Sequence, residues 1–150
     1  MKKQLLLFIS LMLPLVAMAD DSGSCGTDVT YTYESSTGTL TIQGSGATDY
    51  YSYGDAPWYS YREDIKTVVI KDGVTSIGSE AFSGCRGLTS ITIGNGIKNI
   101  DYWVFAYCEK LTDVYCYAES VPTTVSAAFE GVNIGNVTLA SFIYRGLRHF

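Results

Sequence analysis

Residues 65–87 read IKTVVIKDGVTSIGSEAFSGCRG and residues 88–110 read LTSITIGNGIKNIDYWVFAYCEK, and five of their 23 aligned positions are identical. A third segment, LTDVYCYAESVPTTVSAAFEGVN, fills 111–133, and a fourth opens at Ile134 as IGNVTL. The segments begin at 65, 88, 111 and 134, each 23 residues after the last. Self-similarity at a fixed period of 20–50 residues marks a solenoid, in which each unit is too small to bury its own apolar face and buries it against its neighbours.

The apolar columns are Ile65/Leu88/Leu111/Ile134, Val68/Ile91/Val114/Val137 and Ile70/Ile93/Cys116/Leu139, then Val74/Ile97, Ile77/Ile100, Phe82/Phe105 and Cys85/Cys108. The third unit slips by one residue, matching Val121 to Val74 and Phe129 to Phe82, and is expected to regain register by Ile134. In L-x-x-I-x-I the last two apolar positions are two apart, the spacing of side chains on one face of a strand, so each unit opens with a strand. Asp72-Gly73 and Asn95-Gly96 follow in the same phase, a pair that tolerates positive φ in a tight turn. Phe82 and Cys85, like Phe105 and Cys108, are three apart, which suits one short helical or 3-10 turn. A competing reading makes VVIKDGVTSI a β-hairpin and the fold an antiparallel meander, but that leaves the equal spacings and the in-phase Phe and Cys without a cause.

These residues resemble the BspA-like leucine-rich repeat family, whose units run roughly L-x-x-I-x-I-P-x-x-V-x-x-I-G-x-x-A-F-x-x-C. Ile77 to Cys85, IGSEAFSGC, fits almost letter for letter, while Lys71 and Gly94 replace the usual proline and Asp101 replaces the glycine. The preceding stretch is similar too: Cys25-Gly26, the paired runs VTYTY and GTLTI, Gly44-Ser45-Gly46 and Ala56-Pro57-Trp58-Tyr59. The resemblance covers residues 25–139. It implies a mainly β leucine-rich-repeat-like solenoid, one short parallel strand per unit, secreted or held at a bacterial surface and used for adhesion or partner binding, with no catalytic residues.

At the N-terminus, Met1-Lys2-Lys3, an apolar run from Leu5 to Val16 and Ala17-Met18-Ala19 make a signal peptide over 1–19. The run is shorter than the ~20 apolar residues of a membrane span. Lipidation at Cys25 is a further alternative, with Ser22 standing where such a signal wants an apolar residue. The domain organisation that follows is a leader at 1–19, an N-terminal β-hairpin cap and aromatic loop at 20–64, the solenoid at 65–139 and a divergent C-terminal cap or tail at 140–150. In the cap, Val29, Tyr31 and Tyr33 alternate with threonines, Glu34 to Gly38 turn the chain, and Leu40 and Ile42 alternate again, which is the pattern of a hairpin. Its expected job is to cover the first rung.

Charged residues make up 17% and apolar ones 47% of the 150 residues, so the chain should fold as one domain. A net charge of −5 is the reverse of the basic footprint that nucleic acid selects. The one histidine, His149, lies next to the C-terminus, so no cofactor, no metal and no catalysis are expected. Outward strand positions Thr67, Val69, Ser90, Thr92, Asp113, Tyr115, Asn136 and Thr138 form a sheet face of roughly 250 Å² over four strands. A standard interface takes about 800 Å² per partner, so binding must recruit loops or a second copy of the chain. The candidate ligand-binding residues are therefore aromatic. Tyr50, Tyr51, Tyr53, Tyr59 and Tyr61 crowd with Trp58 into residues 47–64, and Tyr102, Trp103 and Tyr107 sit where the first unit has Ser79, Glu80 and Gly84; Tyr115 lies on the strand face. Rings with polar tips suit protein contacts and sugar stacking. The expected partner is a host matrix or cell-surface protein, with a carbohydrate-binding module as the alternative and self-association open. Trp58 is expected to pack the cap onto the first repeat. Cys85 and Cys108 fall on adjacent rungs at ~4.8 Å, where a disulfide is geometrically allowed but a buried column of free thiols is expected, and Cys116 takes a core position.

Overall fold

The computed structural model describes residues 20–125, 127–133 and 138–140. The leader expected at 1–19, the opening of the fourth unit at 134–137 and the tail beyond Ala140 lie outside the described residues. The strands are β1 (Asp21–Gly26), β2 (Val29–Glu34), β3 (Thr39–Gly44), β4 (Gly46–Ala47), β5 (Thr67–Ile70), β6 (Val74–Ile77), β7 (Ser90–Ile93), β8 (Asn99–Ile100), β9 (Asp113–Cys116), β10 (Thr123–Thr124) and β11 (Thr138–Ala140), with a 3-10 turn at Tyr59–Tyr61. They form a seven-stranded sheet in the order β1-β2-β3-β5-β7-β9-β11 and a four-stranded sheet in the order β10-β8-β6-β4.

The rungs stack in parallel and in register. Val68 pairs with Ile91 and Ile91 with Val114; Ile70 pairs with Ile93 and Ile93 with Cys116. The hairpin of β2 and β3 continues the same columns, because β3 runs parallel to β5 and sets Leu40 against Val68 and Ile42 against Ile70. Antiparallel pairing occurs at β1, β2 and β3, and β5 and β6 lie in different sheets, which removes the meander. Val68, Ile70, Ile91, Ile93 and Val114 are buried, as are the alternating Val29, Tyr31, Tyr33, Leu40 and Ile42 of the cap. A second spine runs through the turns. Trp58 stacks on Phe82 at 5.4 Å, Phe82 on Phe105 at 5.4 Å and Phe105 on Phe129 at 5.1 Å between ring centroids. The Trp58 indole N–H donates to the Ala81 carbonyl at 2.7 Å, so the cap is pinned to the first unit as expected.

Several expectations are corrected. Each coil carries two strands rather than one, since V-T-S-I of the first unit and Asn99-Ile100 of the second build the smaller sheet. The chain turns at Asp72-Gly73 and Asn95-Gly96 without positive φ. Glycine is required there by close approach: a Cβ on Gly73 would lie 2.1 Å from the Gly44 carbonyl oxygen and one on Gly96 2.0 Å from that of Asp72. The A-F-x-x-C stretch is a string of β-turns and not a helix. Ser83 and Cys85 donate back to Glu80 and Phe82 at 3.1 Å, while Glu80, Phe82 and Gly84 donate to the next coil at Tyr102, Val104 and Ala106.

The third unit departs furthest. Phe129 stacks on Phe105 and Thr124 pairs with Ile100, both 24 residues on, so the slip of one is present. It is not returned: Leu139 pairs with Val114, not Cys116, a spacing of 25. Alternation along a strand has a period of two, so a shift of two residues preserves the apolar pattern and the sequence is blind to it. Val121 is 46% exposed instead of filling the Val74/Ile97 column, and Pro122 and Ala118 are buried beside it. Cys116 is half-buried rather than core, and all four cysteines are free.

Candidate functional site

The turn side of the stack holds the exposed aromatic rings. The loop between β4 and the 3-10 turn leaves Tyr50 73% and Tyr53 55% exposed; the second unit's turns leave Tyr102 53%, Trp103 43% and Tyr107 47% exposed. These two groups flank the first unit's turn. Tyr51 donates its N–H to Ser79, Glu80 to Tyr102 and Gly84 to Ala106, so the loop, the first turn and the second turn are successive rungs. The Tyr53 ring lies over Gly84, and the Tyr107 ring lies over Gly131 on the following coil. Aromatic ridges thus alternate with glycine at intervals of two coils, roughly 10 Å.

Other rings named from the sequence are held by the cap. Tyr51 packs edge-on to Trp58 at 5.8 Å and donates its hydroxyl to the Cys25 carbonyl at 3.4 Å. Tyr61 stacks on Tyr33 at 4.6 Å and donates to Asp21, which also accepts from Tyr31, both at 3.1 Å. Burial pushes the Tyr31 phenol up to about 12 and raises that of Tyr51, while at Tyr61 the Asp21 hydrogen bond is the larger cause of an upward shift. Tyr59 pairs edge-on with Tyr53 at 5.5 Å and carries the Arg62 guanidinium 4.4 Å over its ring. Tyr115 is half-buried on the sheet face, paired laterally with Thr92. Two participants went unread in the sequence: Tyr117, 57% exposed just after β9, and Glu130. Glu130 accepts from the Trp103 indole N–H at 3.0 Å and from the Tyr107 hydroxyl at 3.4 Å, a convergence that only the stacking of coils 27 and 23 residues apart creates.

Tyr107 adopts left-handed backbone with φ of 58°, and Trp103 does so at 52°, a conformation that Glu80 shares at 56° in the aligned position of the first unit. The positions aligned with Tyr107 on either side are Gly84 and Gly131, at 71° and 73°. A bulky residue in that region costs about 1 kcal/mol or more, and such outliers concentrate at functional sites.

The remaining chemistry is quiet. Burial pushes the thiols of Cys25 and Cys85 up to about 12 and raises that of Cys108, so none supplies a thiolate at neutral pH. A shallow cleft of about 410 Å³ beside the hairpin turn is lined by Asp20, Tyr33, Ser35, Tyr61, Asp64 and Lys66 among others. Hydrogen bonds from the Ser35 side chain and backbone hold the Asp20 carboxyl below its usual range, which suits an anchor and not a proton donor. Among the described residues no three His, Cys, Asp or Glu side chains meet as metal ligands, and no helix is long and apolar enough to cross a membrane.

The family model of the BspA type leucine rich repeat region, in six copies, matches residues 57–146. The chain belongs to the BspA-type leucine-rich repeat family. The fold is similar to that of a leucine-rich repeat protein from Eubacterium ventriosum, seen in a crystal structure, with a TM-score of 0.56 and 21% identity over 79% of this chain and 40% of that one. This BspA-type chain therefore spans less than half the length of that protein. A search of curated proteins returns no match.

Proposed function

We propose that the chain is a non-catalytic, secreted or cell-surface module that adheres to or docks a protein partner through its aromatic turn face. The observation that carries this is the pair of ridges at Tyr50/Tyr53 and Tyr102/Trp103/Tyr107. Roughly half of each ring is open, and at about 200 Å² per ring the five together offer roughly 500 Å². The seven-stranded sheet adds a face of roughly 400 Å², lined by small and β-branched side chains such as Thr41, Val69 and Thr92. Turn face and sheet face together reach the ~800 Å² of a standard interface, and neither does alone. Membership of a family of surface repeat proteins, and a sequence that opens with a leader-like segment, support the location.

The experiment is a solid-phase screen of the chain from Asp20 onward against matrix proteins and glycans, repeated with Tyr50, Tyr53 and Trp103 all changed to alanine. Saturable binding to a protein, lost in the triple variant while the thermal transition is kept, is the expected result. Binding to glycans alone would replace the protein partner with a sugar, and substrate turnover abolished by a single carboxylate change would overturn the non-catalytic reading.

A further inference from the structure

The two aromatic ridges differ in one respect. In the N-terminal ridge the Tyr53–Tyr59 pair has its own cation, the Arg62 guanidinium 4.4 Å above the Tyr59 ring. In the second ridge Trp103 and Tyr107 converge on the Glu130 carboxylate with Tyr102 alongside at 6.3 Å from Trp103, and among the described residues no cation reaches these rings or that carboxylate. Asp101 caps the same turn by accepting the Tyr102 N–H at 2.7 Å, and it too has no ion-pair partner among them. From 95 to 133 there are two lysines against five carboxylates.

A cation is attracted by the face of an aromatic ring within about 6 Å of its centroid, and more so beside a carboxylate. The hydrogen bonds from Trp103 and Tyr107 fix the carboxylate and both rings before any ligand arrives, so little side-chain entropy is left to lose. We propose that Tyr102, Trp103, Tyr107 and Glu130 form a receptor for a cationic side chain, an arginine guanidinium or lysine ammonium, projecting from a protein partner. Left-handed backbone at Tyr107, where glycine serves on the coils either side, is the conformational cost of presenting that ring. The inference rests on the protein-docking reading and specifies what the turn face recognises.

The test uses the full chain labelled with ¹⁵N and titrated with N-acetyl-arginine amide, followed through the two indole signals. Trp58 is buried and bonded to Ala81, so its signal reports folding; Trp103 reports the site. The expected result is a saturable, salt-sensitive shift of the Trp103 indole with Trp58 unmoved, weakened about fivefold in Glu130→Gln. The glutamine amide oxygen still accepts from the Trp103 indole, and its NH2 can donate to the Tyr107 hydroxyl in place of the oxygen that accepted from it, so that variant removes the charge and keeps both contacts. A Trp103 shift with N-acetylglucosamine instead, no shift at all, or undiminished binding in Glu130→Gln would overturn the proposal. Those outcomes would leave the solid-phase screen free to succeed, so failure of the cation site and failure of protein docking are separable.

Discussion

Replacing Phe105 by alanine removes the middle of the aromatic spine. Its side chain is fully buried and stacks on Phe82 at 5.4 Å and Phe129 at 5.1 Å. Truncating a buried phenylalanine costs about 3–5 kcal/mol through lost transfer energy and residual cavity. Two aromatic contacts, each adding about 0.5–1.5 kcal/mol beyond area, place Phe105 at the top of that range. Phe129, half-buried and stacked on one ring among the described residues, should cost about 2 kcal/mol when truncated. In a quasi-one-dimensional stack an inner rung loses two neighbour interfaces and an outer rung one, so the ratio matters more than either value. Urea denaturation followed by circular dichroism measures both, against a total stability of about 5–15 kcal/mol. A Phe105→Ala loss equal to or smaller than that of Phe129→Ala would refute the spine as a shared column.

Trp58→Phe keeps the stack on Phe82 but leaves the buried Ala81 carbonyl without its donor, and should lower stability by about 1–3 kcal/mol in the same assay. Gly96→Ala puts a Cβ 2.0 Å from the Asp72 carbonyl oxygen, so backbone must move; a loss above about 2 kcal/mol is expected, and a neutral substitution would show that the coils are not in that contact. The thiols of Cys25 and Cys85 have folded values raised from 9.0 to about 12, so the folded state holds their protons more tightly than the unfolded one. Their contribution is complete below about pH 9 and is lost as pH rises towards 12. Thermal melts across that window should show falling stability, and thiol labelling with a disulfide reagent at neutral pH should be slow until the chain is unfolded.

The fold was legible because stacking repeats the same physical demand every 23 residues. Val68, Ile91 and Val114 had to be apolar and to alternate, and both facts are written in the chain. What period and polarity do not encode was not legible. β1, Asp-Ser-Gly-Ser-Cys-Gly, has almost no apolar signal and is a strand because β2 offers it an open edge. The pairing of Leu139 with Val114 is one of two registers that leave the same face inward. Glycine at 73 and 96 is there to let coils pass, a long-range need that looks locally like a turn preference. At the candidate site the rings were visible as an excess of tyrosine and tryptophan, but their division was not. Tyr51 and Tyr61 are committed to the cap by Cys25 and Asp21, while Glu130, unremarkable in sequence, becomes the point on which Trp103 and Tyr107 converge.

The account stands on parallel rungs stacked in register, and methyl-labelled Ile, Leu and Val samples test that in solution. Nuclear Overhauser contacts from Ile91 to both Val68 and Val114, continuing from Val68 to Leu40, are predicted by the pairing. Contacts joining β5 to β6 as the two arms of one hairpin, with Ile91 remote from Val68, would contradict it.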